Sequence, residues 1–293
     1  MKKRPDKIQR VGLVANSAKP ASRAALKRAL ALLSRSGRIA ATEEKTAREA
    51  GLKCATLPDA TTLARKSDML LVFGGDGTIL RAVRESDGAS TPILGINVGR
   101  LGFLTAVSLA DLAPALDKVW QNDYTILALP LLGATGQCGD QTISMTALND
   151  VVISHGAVSR AIELEVSVDG EALTSYAGDG LIVSSPAGST AHSLAAGGPI
   201  ISPAAPVMSI TPICPHALSS RPVIVGLDAT VRIRVLSEKM EIIVAADGQM
   251  HGRLDFGDVV TVRRSRAANL VHMGGWSFFD TVRRKLHWSG SSV

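Results

Sequence analysis

Along the first third of the chain, short solid apolar runs alternate with longer stretches that are apolar on one face only. Residues 10–15 (RVGLVA), 68–73 (DMLLVF) and 92–97 (PILGIN) are the solid runs. Runs of this length, bounded by glycine or by polar residues, suit strands buried on both faces. Residues 22–36 carry Ala and Leu at helical spacing among Lys and Arg, and Gly37 follows as a stop. Residues 77–85 read as a second helix after Gly74-Gly75, and 109–120 as a third, opened by Ser108 as a cap. Strands alternating with helices predict a mostly parallel sheet with helices on both faces.

Near Asp123 the pattern changes. From there to about Arg264 the apolar positions fall in short runs rich in Val, Ile, Leu and Thr: 147–154, 162–168, 180–184, 230–235, 241–245 and 259–262. Gly, Pro, Asp and Ser separate them, as in all-β architecture. Ser167-Val168-Asp169-Gly170-Glu171 predicts a hairpin, because Asp-Gly suits a two-residue type I′ turn. Residues 275–288 gather Trp276, Phe278, Phe279 and Trp288, so this tail is expected to dock on a core. Two domains follow: a Rossmann-like α/β domain over 1–122 and a β-rich domain over 123–274, α+β overall. A chain of 293 residues, 46% apolar, is long enough to bury a core in each.

Composition narrows the function classes. No stretch approaches the roughly 18 uninterrupted apolar residues of a membrane span. The basic start, Lys2-Lys3-Arg4, runs into a first strand over 7–15 and not into a signal segment, so a cytoplasmic location is expected. Cys54, Cys138 and Cys214 are odd in number and widely spaced, which argues against a disulfide framework or a zinc site. The net charge of +6 fits a nucleic acid or a polyanionic small substrate. The basic clusters, Lys2-Lys3-Arg4, Arg263-Arg264 with Arg266, and Arg283-Arg284-Lys285, are short. Aromatics are only 3% of the chain and do not interleave with them as a base-stacking platform would. A small phosphorylated ligand is the expectation, with no nucleic acid and no membrane as partner.

Three segments carry candidate chemistry. Phe73-Gly74-Gly75-Asp76-Gly77-Thr78 sits where a buried strand ends and a helix begins, the place where open α/β sheets bind ligands. Glycines let backbone N–H groups approach a phosphate there, and the helix N-terminus favours the anion. Asp76 would repel a phosphate unless it holds a metal or takes a proton from an attacking hydroxyl; the alternative is a tight turn whose Asp caps the helix. Leu148-Asn149-Asp150 precedes an apolar strand and offers acceptors for neighbouring ribose hydroxyls, or is a polar strand entry. Gly178-Asp179-Gly180, then Ser184-Ser185-Pro186-Ala187-Gly188-Ser189-Thr190-Ala191-His192-Ser193, then Gly197-Gly198-Pro199 are dense in small residues and hydroxyls, leaving room for a ligand against the backbone. Pro215-His216-Ala217-Leu218-Ser219-Ser220-Arg221-Pro222 and Asp247-Gly248-Gln249 read as turns, the Gln within possible reach of a ligand.

Taken together and in this order, these segments resemble the NAD kinase family. The ending Phe279-Asp280-Thr281 with Lys285-Leu286-His287-Trp288 is similar to that family's C-terminus, so the resemblance runs from about Val11 to Trp288. It implies phosphoryl transfer from ATP to NAD with Asp76 as general base and Mg²⁺ arriving with the nucleotide. It implies further that Gly74, Gly75, Gly77, Thr78 and Arg81 lie against phosphate or NAD, Arg81 facing a phosphate. Asn149 and Asp150 would hold ribose or adenine. Arg160, Asp179, Ser189, Thr190, Ala191, His192, Ser193, Leu194, Ala195 and Gln249 would line the NAD cleft. That cleft would form between the two domains, with the tail 275–293 returning to the first, in a homo-oligomer (dimer or tetramer). The chain departs from the family pattern at Asp150, where Glu is usual, at Ala187 (Thr) and at His192 (Tyr). A lipid kinase shares Gly-Gly-Asp-Gly-Thr but needs neither the Asn149-Asp150 pair nor the Gly-Ser-Thr-Ala stretch. A non-catalytic dinucleotide-binding regulator would have no use for Asp76.

Overall fold

A computed structural model of the chain describes residues 8–99, 102–138, 141–157 and 160–288; the cluster Lys2-Lys3-Arg4, and Lys7 at the head of the expected first strand, lie outside them. The chain divides into two compact units, one running through Ala128 and again from Ala267, the other Leu129–Arg266.

The first unit begins β1 (Arg10–Ala15), α1 (Pro20–Arg35), β2 (Ile39–Glu43), α2 (Glu44–Ala50), β3 (Ala55–Leu57), α3 (Ala60–Lys66), β4 (Met69–Gly74), α4 (Asp76–Glu85), β5 (Ile93–Asn97), β6 (Val107–Ser108) and α5 (Leu112–Trp120). The strand order β5-β4-β1-β2-β3 is parallel throughout. The chain leaves β1 for β2 on one side and returns to β4 on the other, which makes the β1/β4 edge a topological switch point. Strands β1, β4 and β5 are buried on both faces, as their solid apolar runs predict. Val11, Leu13, Leu71, Phe73 and Leu94 share a core with Ala25, Leu26, Ala29 and Leu33 of α1. On the opposite face a Cβ on Gly12 would strike Leu70 and crowd Ser67 and Leu63, and one on Gly95 would press on Ile79. Glycine at these two strand positions is what lets α3 and α4 pack closely. Helix α1 starts at Pro20, two residues before the pattern predicts, with proline in the first turn. Ser108 does not cap α5: Asp111 is its N-cap, because Ser108 is still paired in the sheet, where its hydroxyl accepts from the Asp111 N–H and donates to the Asp111 carboxylate.

The strand β7 (Tyr124–Cys138) contains the division between the units. The second unit continues with β8 (Gln141–Ala147), β9 (Asp150–His155), β10 (Ile162–Val168), β11 (Glu171–Gly178), β12 (Gly180–Ser184), a 3₁₀ turn (Ala187–Thr190), α6 (His192–Ala195), β13 (Val207–Ile213), β14 (Val223–Gly226), β15 (Val231–Val235), β16 (Ile242–Ala246), β17 (Gln249–Leu254) and β18 (Val259–Met273), whose later residues belong to the first unit. Two antiparallel layers share one core. One has the order β11-β10-β15-β18; the other is the six-stranded β14-β13-β12-β9-β16-β17. Leu164, Val166, Ile233 and Val260 of the first meet Val151, Ile153, Leu181, Ile210 and Val244 of the second. The predicted hairpin stands, with Asp169 and Gly170 both at positive φ between paired Val168 and Glu171.

In the first unit, Leu270 of β18 pairs in parallel with Ile93, and α7 (Phe278–Lys285) ends the described chain, capped by Ser277. Among the described residues, no helix is long and apolar enough to cross a membrane.

Candidate active site

The glycine loop closes β4 and opens α4. Gly75 is the N-cap and Asp76 is the first helical residue, so Asp76 does not cap its own helix. Its carboxylate instead accepts the backbone N–H groups of Phe103 and Leu104, at 2.9 and 3.0 Å. A Cβ on Gly102 would collide with that carboxylate, so glycine at 102 makes room for the seat of Asp76. The segment Gly102-Phe103-Leu104 was not singled out from the sequence; a glycine-bearing loop directly after the β5 run was its only signal. Gly74 is required for a different reason, since a Cβ there would strike the Thr78 side chain. Gly75 and Gly77 are unlike these: a Cβ on either would meet open space, and neither has positive φ. The fold itself does not demand glycine at these two positions, and the open backbone can admit a ligand.

Beside the loop lies a cavity of about 240 Å³ lined by Gly74, Gly75 and Thr78, by Asn97 at the end of β5 and Gly99 beyond it, and by Asn16, Lys19 and Ser22 after β1. It sits at the switch point of the sheet, with the N-termini of α1 and α4 at its edge. Unsatisfied N–H groups and helix dipoles make such a place favourable for phosphate. Arg81 does not line this cavity. Its guanidinium donates to the Ala15 carbonyl at 3.0 Å and lies 3.6 Å from Glu85.

In the second unit, Asn149 and Asp150 enter β9. The hairpin turn Asp247-Gly248, at positive φ, folds onto them: the Asp247 carboxylate accepts the N–H groups of Leu148 (2.9 Å), Asn149 (2.7 Å) and Asp150 (3.3 Å). This tie carries Gln249, the exposed first residue of β17, to the same end of the sheet. Asp150 is 4% exposed, and its carboxyl is pushed up to about 7, first by burial and then by the charge of Asp247. The stretch from Ser184 packs on the same spot: Ser185 N–H donates to the Asn149 carbonyl, and a Cβ on Gly188 would strike that carbonyl.

The hydroxyls of this stretch are largely used inside the chain. Ser185 bonds the Leu148 carbonyl, Ser189 bonds the Pro186 carbonyl and the Ile201 N–H, and Ser193 bonds Thr211. Ser189 and Ser193 are wholly buried. Gly178, Gly180 and Gly198 are likewise held tight against neighbouring backbone or side chains. The density of small residues is therefore explained mainly by close packing, and the groups left at the surface are His192 and Ala195, with Thr190, Ala191 and Leu194 half-buried.

Asp179 and Arg160 lie elsewhere. Asp150 pairs with Ser184 and Ser154 with Gly180, so Asp179, beside His155, is at the opposite end of the β9/β12 pair, five residues or roughly 17 Å along the strand. There Asp179 lies 3.9 Å from His155, and the Cys214 thiol bonds it, which pushes that thiol up. Arg160 is exposed between β9 and β10. The second unit thus presents two polar clusters, Asn149/Asp150/Thr190/Gln249 and His155/Asp179/Cys214. His155 and Cys214 were not among the residues expected from sequence.

Comparison with known proteins bears on both units. The ATP-NAD kinase N-terminal domain family matches residues 11–124, and the ATP-NAD kinase C-terminal domain family matches 148–273. The NAD kinase of Moorella thermoacetica is 44% identical over 97% of this chain and 91% of its own length. That of Geobacter metallireducens is 43% identical over 76% of this chain and 79% of its own. Among solved structures, yeast NADH kinase complexed with NADH matches with a TM-score of 0.89 and 28% identity, covering 98% of this chain and 90% of that one. An Archaeoglobus fulgidus NAD kinase in complex with ATP matches with 0.75 and 26%, covering 96% and 100%. With both domain families matched in order, and a relative this similar over nearly its whole length, the chain belongs to the NAD kinase family and is an enzyme of that kind.

Proposed function

We propose that the chain transfers the terminal phosphoryl group of ATP to the 2′-hydroxyl of the adenosine ribose of NAD, giving NADP and ADP, with Asp76 as general base. The seat of Asp76 carries this reading: a carboxylate beside an open glycine loop, its direction fixed by two backbone amides. A carboxylate has about four acceptor positions, so two amides leave it able to receive a proton. The 2′-hydroxyl gives its proton to Asp76 as its oxygen bonds the terminal phosphorus; the bond to the bridging oxygen breaks, and ADP leaves.

Gly74, Gly75 and Thr78 hold phosphates in the cavity at the switch point, Gly77 lies against NAD, and Arg81 adds positive charge one helical turn on. Asn149 and Asp150 take ribose hydroxyls or adenine. Thr190, Ala191, His192, Leu194, Ala195 and Gln249 line the same pocket, braced by Ser189 and Ser193, while Arg160 and Asp179 meet another part of the dinucleotide. Among the described residues no three His, Cys, Asp or Glu side chains converge on a metal position. That donor set fits Mg²⁺ that enters on the nucleotide and keeps phosphate and water ligands. Bound there, the ion offsets the charge of the triphosphate. The same reading takes the enzyme to be a cytoplasmic homo-oligomer, dimer or tetramer, which fractionation and light scattering can check.

Purified protein given Mg-ATP and NAD should yield NADP, read out with an NADP-specific dehydrogenase. Asp76→Asn should lower kcat by roughly 10²–10⁴-fold with NAD binding retained. Retention of more than about a tenth of wild-type kcat would remove Asp76 as the base.

A further inference from the structure

Next to the phosphate crevice in the first unit lies a second cavity of about 630 Å³. It opens over the carboxyl ends of β1, β2 and β3, and Asn16 lines both cavities. Its volume lies in the range of small-ligand sites. Five carboxylates line it: Glu43, Glu49, Asp59, Glu85 and Asp87. Four have partners in the chain. Glu49 accepts the Ser17 hydroxyl, Asp59 accepts the Thr62 N–H as the cap of α3, Glu85 lies by Arg81, and Asp87 pairs with Arg65.

Glu43 is different. At the last position of β2, paired in the sheet through its backbone, its carboxylate has no hydrogen bond and no ion pair within 4 Å among the described residues. It is half-buried, and desolvation and the nearby Glu85 hold its carboxyl above the usual range. An acceptor-only group left in this position calls for hydroxyl donors. In doubly wound folds that bind nucleotides, phosphates occupy the switch point, and a carboxylate at the end of the second strand receives the ribose hydroxyls. The geometry here has both parts, crevice and carboxylate, in adjoining cavities.

We propose that the nucleoside half of the phosphoryl donor lies in this cavity, its vicinal ribose hydroxyls donating to Glu43 while its phosphates reach the glycine loop. The inference rests on the kinase reading above and adds where, and by which residue, the donor's sugar is recognised.

A substitution paired with a donor lacking the hydroxyls tests it. In the intact enzyme, Glu43→Gln should raise KM for ATP about tenfold or more, the scale of a lost hydrogen bond to a charged group. KM for NAD should stay within about twofold, because this binding is the donor's alone. With 2′,3′-dideoxy-ATP the wild type should show the same rise, and Glu43→Gln should add nothing to it. The wild-type arm stands even if the variant folds poorly. Equal ATP and dideoxy-ATP KM in the wild type, or losses from variant and donor that simply multiply, would overturn the assignment. If no NADP formed from ATP and NAD at all, the kinase reading would fall and this one with it; NADP formation with multiplying losses removes this one alone.

Discussion

Replacing Asp150 with asparagine should stabilise the second unit above pH 7 and have almost no effect near pH 4. Asp150 is 4% exposed at the head of β9, and its N–H points at the Asp247 carboxylate. Burial first, and Asp247 second, move its carboxyl from 3.8 to about 7. Between those two values the folded protein holds a proton that the unfolded chain has released. Folding is therefore undisturbed below the unfolded value, loses stability as pH rises from the unfolded value to the folded one, and loses no more above it. A displacement of that size corresponds to about 4 kcal/mol between the two protonation forms, and the strong coupling to Asp247 makes about 2–4 kcal/mol a realistic range. Asparagine has the size of the protonated acid and cannot ionise. The variant should match the wild type at pH 4 and exceed it by that amount at pH 8, a rise in Tm of about 5–10 °C for a unit of this size. Calorimetry from pH 4 to 8 on both proteins provides the comparison. A difference independent of pH, or a variant less stable at pH 8, would refute the reasoning.

Three further outcomes follow from the geometry. Gly102→Ala should displace the Asp76 carboxylate and lower kcat at least about tenfold while the circular dichroism spectrum is unchanged; full activity would mean that the seat of Asp76 does not matter. Asp247→Ala should leave the Leu148 and Asn149 amides without their acceptor, cost about 1–3 kcal/mol of stability and raise KM for NAD, and an unchanged KM would separate this turn from the pocket. Exhaustive EDTA treatment should abolish NADP formation and added Mg²⁺ should restore it; metal retained at one equivalent without nucleotide would point instead to a protein-held ion.

How much of this was legible in the sequence depended on the range of the forces involved. Strands β1, β4 and β5 were readable because strands buried on both faces must be solidly apolar, and glycine or polar residues mark their ends. The stretch from β2 to α3 escaped because its strands, IAATE and ATL, are short and only partly buried, and its two seven-residue helices are too brief for a clear period. The long β7 and β18 escaped because each carries more than one burial pattern along its described side chains. The glycine loop was legible because a strand end, its glycines and a helix start are neighbours in the chain, and a local arrangement is what a sequence displays.

The chemistry of the site was less legible, because it is made by groups far apart in the chain. Asp76 is aimed by amides 27 and 28 residues away, and Asp150 is perturbed by a carboxylate about a hundred positions on. The serines show the converse error. Ser-Ser-Pro-Ala-Gly-Ser-Thr reads as a set of hydroxyls waiting for a ligand, yet a 3₁₀ turn pressed onto the Asn149 carbonyl needs the same small residues and the same hydroxyls for itself. Composition cannot separate those two demands. Burial bears on it: a hydroxyl at 0% exposure with its partners inside the chain holds the loop in place.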